Sequence, residues 1–150
     1  MELFLWRHAD ALPGASDFER KLSPFGHQQA GKAAECLRKQ AGGLSGLRIL
    51  VSPAVRTRQT LAHFCEDENK IQLCLPLYEN ASPNKILTIL GWPDITLPAL
   101  IVGHQPQIGL LADYLLADTP HPASFRKSAL WWLRLEPGRD SAQLVDVVEV

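Results

Sequence analysis

Leu3-Phe4-Leu5-Trp6-Arg7-His8 is an apolar run of four residues that stops on an arginine and a histidine. A short continuous apolar run fits a strand buried on both faces, as in a parallel sheet covered by helices. The design recurs twice. Leu47 to Val51 ends on Ser52-Pro53, with Arg56 close behind, and Leu97 to Val102, broken only by Pro98 near its start, ends on Gly103-His104-Gln105-Pro106. Helix signals lie between these runs. At Ser23-Pro24 a serine N-cap accepts an orphan N–H and the proline has none to orphan; Gln28 to Gln40 is rich in helix formers and Gly42-Gly43 stops it. Ser52-Pro53 repeats the start signal for a helix over Ala54 to Glu66, and Ser82-Pro83 opens a short one ending near Gly91. Ile71 to Leu75 reads as a strand and Ile108 to Leu116 as a helix. Ala129 to Leu135 and Leu144 to Val150 read as strands joined by a turn over Glu136 to Asp140. The order β-α-β-α-β-α-β-α-β-β predicts an α/β fold. The expectation is a three-layer α/β/α sandwich with a mostly parallel sheet and an antiparallel C-terminal strand element, in one domain over 1–150.

Composition bounds the function. Of 150 residues 46% are hydrophobic and 21% charged, enough apolar surface to build a core and to exclude disorder over most of the chain. Fifteen Lys and Arg against 16 Asp and Glu leave a net charge of −1, so no electrostatic footprint points to nucleic acid or an anionic membrane. Cys36, Cys65 and Cys74 are an odd set without metal-type spacing, which predicts free thiols in a reducing compartment. The first apolar run is too short for a signal peptide, and no stretch approaches the ~18 apolar residues of a transmembrane helix. The expected setting is the cytoplasm.

Polar residues cluster at the ends of the three apolar runs: Arg7-His8, then Ser52 and Arg56, then His104. In open α/β sheets, ligands bind beyond the carboxyl ends of the strands. If the three strands are parallel, these groups share one rim. Guanidinium forks bind phosphate oxygens in pairs, helix N-termini add free N–H groups, and a neutral imidazole can attack phosphorus. A second histidine can donate to the charge that spreads over a transferring phosphoryl group. Taken singly, each residue has a bland reading, as a solvated loop histidine or a surface arginine. From the residues alone, the phosphate pocket and the bland reading both stand open.

Five ordered segments resemble a known family. Leu5-Trp6-Arg7-His8-Ala9-Asp10-Ala11 is similar to the Arg-His-Gly signature of the histidine phosphatase superfamily, which includes the phosphoglycerate mutases. The closer resemblance is to its short SixA-type branch. Arg20-Lys21-Leu22-Ser23-Pro24-Phe25-Gly26, followed by Gln29-Ala30, resembles the Arg-x-Leu-Thr-x-x-Gly segment. Ser52 to Thr60 resembles Ser-Pro-x-x-Arg-x-x-Gln-Thr, Val102 to Pro106 resembles Val-Gly-His-x-Pro, and Phe125 to Ala129 resembles the stretch before the penultimate strand. The resemblance implies a phosphoglycerate mutase-like fold and a phosphatase that uses no metal and no organic cofactor. His8 would be the nucleophile that carries a phosphohistidine intermediate. Arg7, Arg56 and His104 would line the phosphate pocket, with Arg20 as an outer contact.

Two departures stand out. Ala9 replaces the family glycine, which matters if that position needs a positive φ or a close backbone approach and is nearly silent if it needs only a small residue. Ser23 replaces the usual threonine and keeps its hydroxyl. Glu79 lies where larger superfamily members carry a general acid, and could equally be a surface or capping carboxylate. SixA-type enzymes are thought to need no strong acid, because imidazole leaves more readily than an alkoxide. His27, His63 and His121 read as surface residues and Lys127 as an exposed lysine. Adjacent Trp131 and Trp132 must face opposite sides of their strand. The leading expectation is a phosphohistidine phosphatase acting on a phosphorylated protein, since no long insertion is present to cap the site. The alternatives are a phosphomonoesterase for a small phosphorylated metabolite, with Glu79 as acid, and a non-catalytic phosphate-binding module.

Overall fold

A computed structural model of the chain describes residues 1–116, 121–136 and 138–150. Six strands form one sheet: β1 (Glu2–Arg7), β2 (Arg48–Val51), β3 (Ile71–Leu73), β4 (Ala99–Gly103), β5 (Leu130–Leu135) and β6 (Ala142–Val148). Their order is β3-β2-β4-β1-β5-β6, parallel from β3 to β1 and antiparallel at β5 and β6. The helices are α1 (Pro24–Ala41), α2 (Val55–Ala62), α3 (Pro83–Leu90) and α4 (Gln107–Leu115).

Strand alternation builds the three layers. Leu3, Leu5, Leu50 and Ile101 pack with α3 and α4, and Phe4, Trp6, Val51 and Val102 pack with α1 and α2. Both faces are covered, which is why these strands read as continuous apolar runs rather than alternating ones. Trp131 stacks on Phe125 and Trp132 on Phe4, on opposite faces as the pleat requires.

Several boundaries differ from the sequence expectation. The helix expected to reach Glu66 ends at Ala62, where the backbone tightens: His63 and Phe64 donate to the carbonyls of Thr60 and Leu61. The strand expected to reach Leu75 ends at Leu73, because Pro76 sits in a 3-10 turn over Leu75–Leu77. The fourth strand starts at Ala99 rather than Leu97, past Pro98, which has no N–H for the ladder. The last strand spans Ala142–Val148 instead of 144–150, with a register shift at Trp132/Leu133. The expected turn over 136–140 includes position 137, which lies outside the described residues.

The loop after β1 is held against α1 by backbone packing. Ser23 caps α1 by accepting from the Gly26 N–H, and its own N–H donates to the Asp10 carbonyl. A Cβ on Gly26 would lie 2.0 Å from the Asp10 carbonyl oxygen, so glycine here is a packing requirement. Gly26→Ala must push helix from loop, and overpacking of this kind costs about 3 kcal/mol. For a chain of this size the expected drop in melting temperature is ~6–12 °C. A thermal melt of the variant within about 2 °C of the parent would show that the contact yields easily.

Candidate active site

Parallel pairing brings three strand ends to one rim. β4 lies between β1 and β2, and the chain leaves each strand in register: the His8 N–H donates to the Gly103 carbonyl, and the Ser52 N–H to that of Val102. The expected residues converge. The His8 and His104 rings lie 5.3 Å apart, centroid to centroid. The guanidiniums of Arg7 and Arg56 act on both imidazoles and on each other. His8, Arg56 and His104 are 7%, 6% and 8% exposed, each buried in a site that still opens to solvent.

Each group is held by the local chain. His8 Nδ1 lies 2.7 Å from the Ala9 carbonyl, an acceptor only, so Nδ1 carries the proton and Nε2 keeps its lone pair. The backbone at Ala9 is not left-handed, since among described non-glycine residues only Asn80 and Ser128 have positive φ. Ala9 is fully buried, and its N–H donates to Thr60 Oγ1. Thr60 and Gln59 serve the loop from α2: Thr60 supports Ala9, and Gln59 Oε1 accepts from the Leu22 N–H. Arg7 Nη1 donates to the Phe125 carbonyl at 2.7 Å. Arg56 Nη1 donates to the Asp17 carbonyl, and Nη2 reaches Asp17 Oδ2 at 3.1 Å. His104 Nε2 lies 2.7 Å from Ser52 Oγ.

Electrostatics keeps both imidazoles neutral. Burial above all, then the charges of His104, Arg56 and Arg7, outweigh the Ala9 hydrogen bond and lower the His8 pKa to about 3. Burial, then Arg56, lowers that of His104 to about 4. Burial and then the Arg56 charge draw the Arg7 guanidinium below its ordinary pKa. Three buried nitrogens, Arg7 Nε, Arg56 Nε and His104 Nδ1, have no hydrogen-bond partner among the described residues. Buried polar groups are rarely left so, and a tetrahedral oxyanion has the acceptors that they lack.

Other expected residues lie elsewhere or do other work. The Arg20 guanidinium donates to the carbonyls of Leu12 and Ala11 and lies 3.6 Å from Asp17. Glu79 is exposed, and its side chain makes no hydrogen bond or ion pair among the described residues. Lys127, expected to be simply exposed, pairs with Asp10 at 2.8 Å. His27 and His63 face each other across α1 and the end of α2, with ring nitrogens 2.9 Å apart. No helix among the described residues is long and apolar enough to cross a membrane.

Sequence reading passed over Asp17, Tyr78 and Ser128. The Tyr78 hydroxyl donates to Asp17 Oδ2, and its ring stands edge-on to that of His104 at 5.8 Å. Burial pushes the Asp17 carboxyl up, but the hydrogen bonds from Tyr78 and Arg56 outweigh it and hold it below the usual range. Ser128, with φ of 63°, donates its N–H to the His8 carbonyl, and its hydroxyl accepts from Trp6 Nε1. The stretch Phe125 to Ser128 thereby mounts Arg7 and His8 from the β5 side. A signal was present in its family-like spelling, but nothing in that spelling gave a contact.

No protein-family model matches the chain. A Mycobacterium tuberculosis protein of uncharacterised function is 37% identical over 108 residues, 71% of this chain and 66% of the relative, so the match spans just under two thirds of that protein. Phosphohistidine phosphatase SixA of Escherichia coli is 31% identical over 136 residues, 80% of this chain and 78% of the relative. Among solved structures, that of the protein histidine phosphatase SixA complexed with tungstate superposes with a TM-score of 0.78 at 25% identity, covering 98% of this chain and 96% of that one. Shared sequence over four fifths of its length and a shared fold over nearly all of it place the chain in the histidine phosphatase superfamily, in the SixA-type branch.

Proposed function

We propose that the protein is a phosphohistidine phosphatase, taking a phosphoryl group from a protein-borne phosphohistidine onto His8 and then passing it to water. The observation that carries this reading is the pair of neutral imidazoles at 5.3 Å, flanked by two guanidiniums whose Nε atoms lack partners among the described residues. His8 Nε2 attacks phosphorus, a new P–N bond forms as the old one breaks, and the substrate imidazole, already protonated on its other ring nitrogen, takes the electron pair and leaves neutral. Arg7, Arg56 and His104 hold the phosphoryl oxygens as charge spreads over them. Water then attacks the phosphohistidine, inorganic phosphate leaves, and His8 is restored. The cations of the site supply the charge stabilisation, so no step calls for a metal or an organic cofactor. Tungstate in the related SixA structure, a tetrahedral oxyanion, supports a phosphate pocket in the same fold.

The substrate class rests on the leaving group and on access. Among the described residues no carboxylate hydrogen-bonds to either imidazole, and an imidazole protonated on its far nitrogen leaves without a strong acid. Leu12 and Phe18, on the segment carrying Asp17, are exposed, as befits a rim that meets a protein surface. Free Cys36, Cys65 and Cys74 fit a cytoplasmic setting.

Comparing turnover of a phosphohistidine protein with that of p-nitrophenyl phosphate, for the parent and Glu79→Gln, tests the reading. Preferential hydrolysis of the phosphohistidine protein, unchanged in Glu79→Gln, is expected. A preference for the ester that disappears in Glu79→Gln would make this a phosphomonoesterase. Binding of phosphate without turnover of either substrate would make it a binding module.

A further inference from the structure

Ser52 lies at the end of β2 and is fully buried. Its backbone is fixed on both sides: its N–H donates to the Val102 carbonyl, and its carbonyl accepts from Thr57 Oγ1 at 2.8 Å. Its hydroxyl does not cap α2, whose N-cap is Ala54 with no side-chain bond. The oxygen receives a long contact from the Ala54 N–H at 3.4 Å and lies 2.7 Å from His104 Nε2.

A buried hydroxyl has one proton to place, and leaving it without an acceptor costs ~1–3 kcal/mol. Around Ser52 Oγ the backbone N–H is a donor already, and His104 Nε2 is the one acceptor within reach among the described residues. If Nε2 carried the ring proton instead, it would donate to Ser52 and strand the serine proton. With Ser52 donating, Nε2 is the acceptor and the proton of neutral His104 sits on Nδ1. That is the nitrogen left buried without a partner among the described residues.

We propose that Ser52 is a positioning residue: it fixes His104 in the Nδ1–H tautomer, so that this ring presents a hydrogen-bond donor to the phosphoryl oxygens. The two site histidines then hold the same tautomer but turn opposite ends to the substrate. His8, locked by the Ala9 carbonyl, offers the bare Nε2, whereas His104, locked by the Ser52 hydroxyl, offers Nδ1–H. One ring attacks and the other donates, and neither needs a second proton. A neutral donor also keeps a third cation out of a pocket that already holds two guanidiniums.

The inference rests on the phosphatase reading for its catalytic meaning, but its test does not. Nitrogen-15 NMR of the His104 ring, at neutral pH with inorganic phosphate bound, reads directly which nitrogen carries the proton. The parent is expected to show Nδ1–H, and Ser52→Ala a shift of the proton toward Nε2. Ser52→Thr, which keeps the hydroxyl, is expected to restore the parent pattern. In turnover, Ser52→Ala should lose roughly 10²-fold in kcat, the low end for a missing oxyanion donor, with KM changed far less and with recovery in Ser52→Thr. A parent ring protonated at Nε2, or a Ser52→Ala ring indistinguishable from the parent's, overturns the assignment whatever the activity shows. Nδ1–H in the parent, with no turnover of any phosphohistidine protein, would keep the Ser52 assignment and overturn the substrate reading instead.

Discussion

His8→Ala is expected to abolish turnover while leaving the fold intact. In the proposed reaction the imidazole Nε2 takes the phosphoryl group, and among the described residues no other buried imidazole lies beside it except His104, whose Nε2 is occupied by Ser52. Rapid quenching of the parent should trap a phosphoenzyme that is acid-labile and base-stable, and none should form in the variant. Substantial residual turnover, or a phosphoenzyme surviving in His8→Ala, would remove His8 from the mechanism. The variant should also differ in its response to acid. In the folded parent the His8 pKa is about 3, against ~6.5 in an unfolded chain. Between these values the unfolded chain binds a proton that the folded one refuses, so stability falls as the pH drops below about 6.5 and keeps falling toward the folded pKa. Each unit of that window corresponds to about 1.4 kcal/mol for a single group. Melting temperatures taken from pH 7 to pH 4 should therefore decline less steeply in His8→Ala than in the parent. Parallel declines would mean that the histidine is not held neutral by the fold.

What could be read from the chain divides along the range of the interactions. Ser23-Pro24 and Ser82-Pro83 mark helix starts by local chemistry, and in both the serine hydroxyl accepts from the N–H three residues on. Gly91 closes α3 with φ of 92°, a conformation that glycine adopts freely. Ser52-Pro53 also precedes a helix, but there the serine hydroxyl does not cap it and is committed to His104, just beyond the end of β4. The end of α2 was illegible. Apolar residues continue to Phe64, but the backbone turns at His63, whose carbonyl accepts from Arg38 of α1. The site was legible at Arg7, His8, Arg56 and His104, because strand ends and helix mouths are local features that the topology gathers. It was not legible at Asp17 and Tyr78, which lie 61 positions apart and meet through one hydrogen bond. At Arg20 the residue type suits phosphate, and the contacts that the sequence could not show are those of Nε and Nη2 with the backbone carbonyls of Leu12 and Ala11.

These long-range contacts change what the recognisable residues do. Asp17 is 57% exposed at its side chain, yet it grips the buried Arg56 with both a carbonyl and a carboxylate oxygen. Tyr78 and Phe18, ring edge to ring face at 5.3 Å, close the same wall, and the Val55 N–H at the head of α2 donates to the Phe18 carbonyl. In the proposed reaction the guanidinium is thus aimed before phosphate arrives, which reduces the reorganisation left for the chemical step.

Arg56→Ala should lower kcat/KM by ~10²–10³, with kcat falling and KM rising together, because the same fork binds the ground-state phosphate and the transferring group. Arg56→Lys should recover little. A single ammonium can replace the charge, but it cannot hold the Asp17 carbonyl, the Asp17 carboxylate and a phosphate oxygen in one plane. The pH dependence separates this role from mere packing. The Arg56 charge contributes to the lowering of both histidine pKa values, so its removal must raise both. Since attack requires His8 neutral, the acid limb of kcat/KM, which reports the free enzyme, should move to higher pH in Arg56→Ala and stay closer to the parent's in Arg56→Lys. Inhibition by vanadate should weaken in step with kcat/KM. A variant within a few-fold of the parent in rate, with an unmoved acid limb, would place Arg56 outside the phosphate pocket and leave Arg7 as its sole guanidinium.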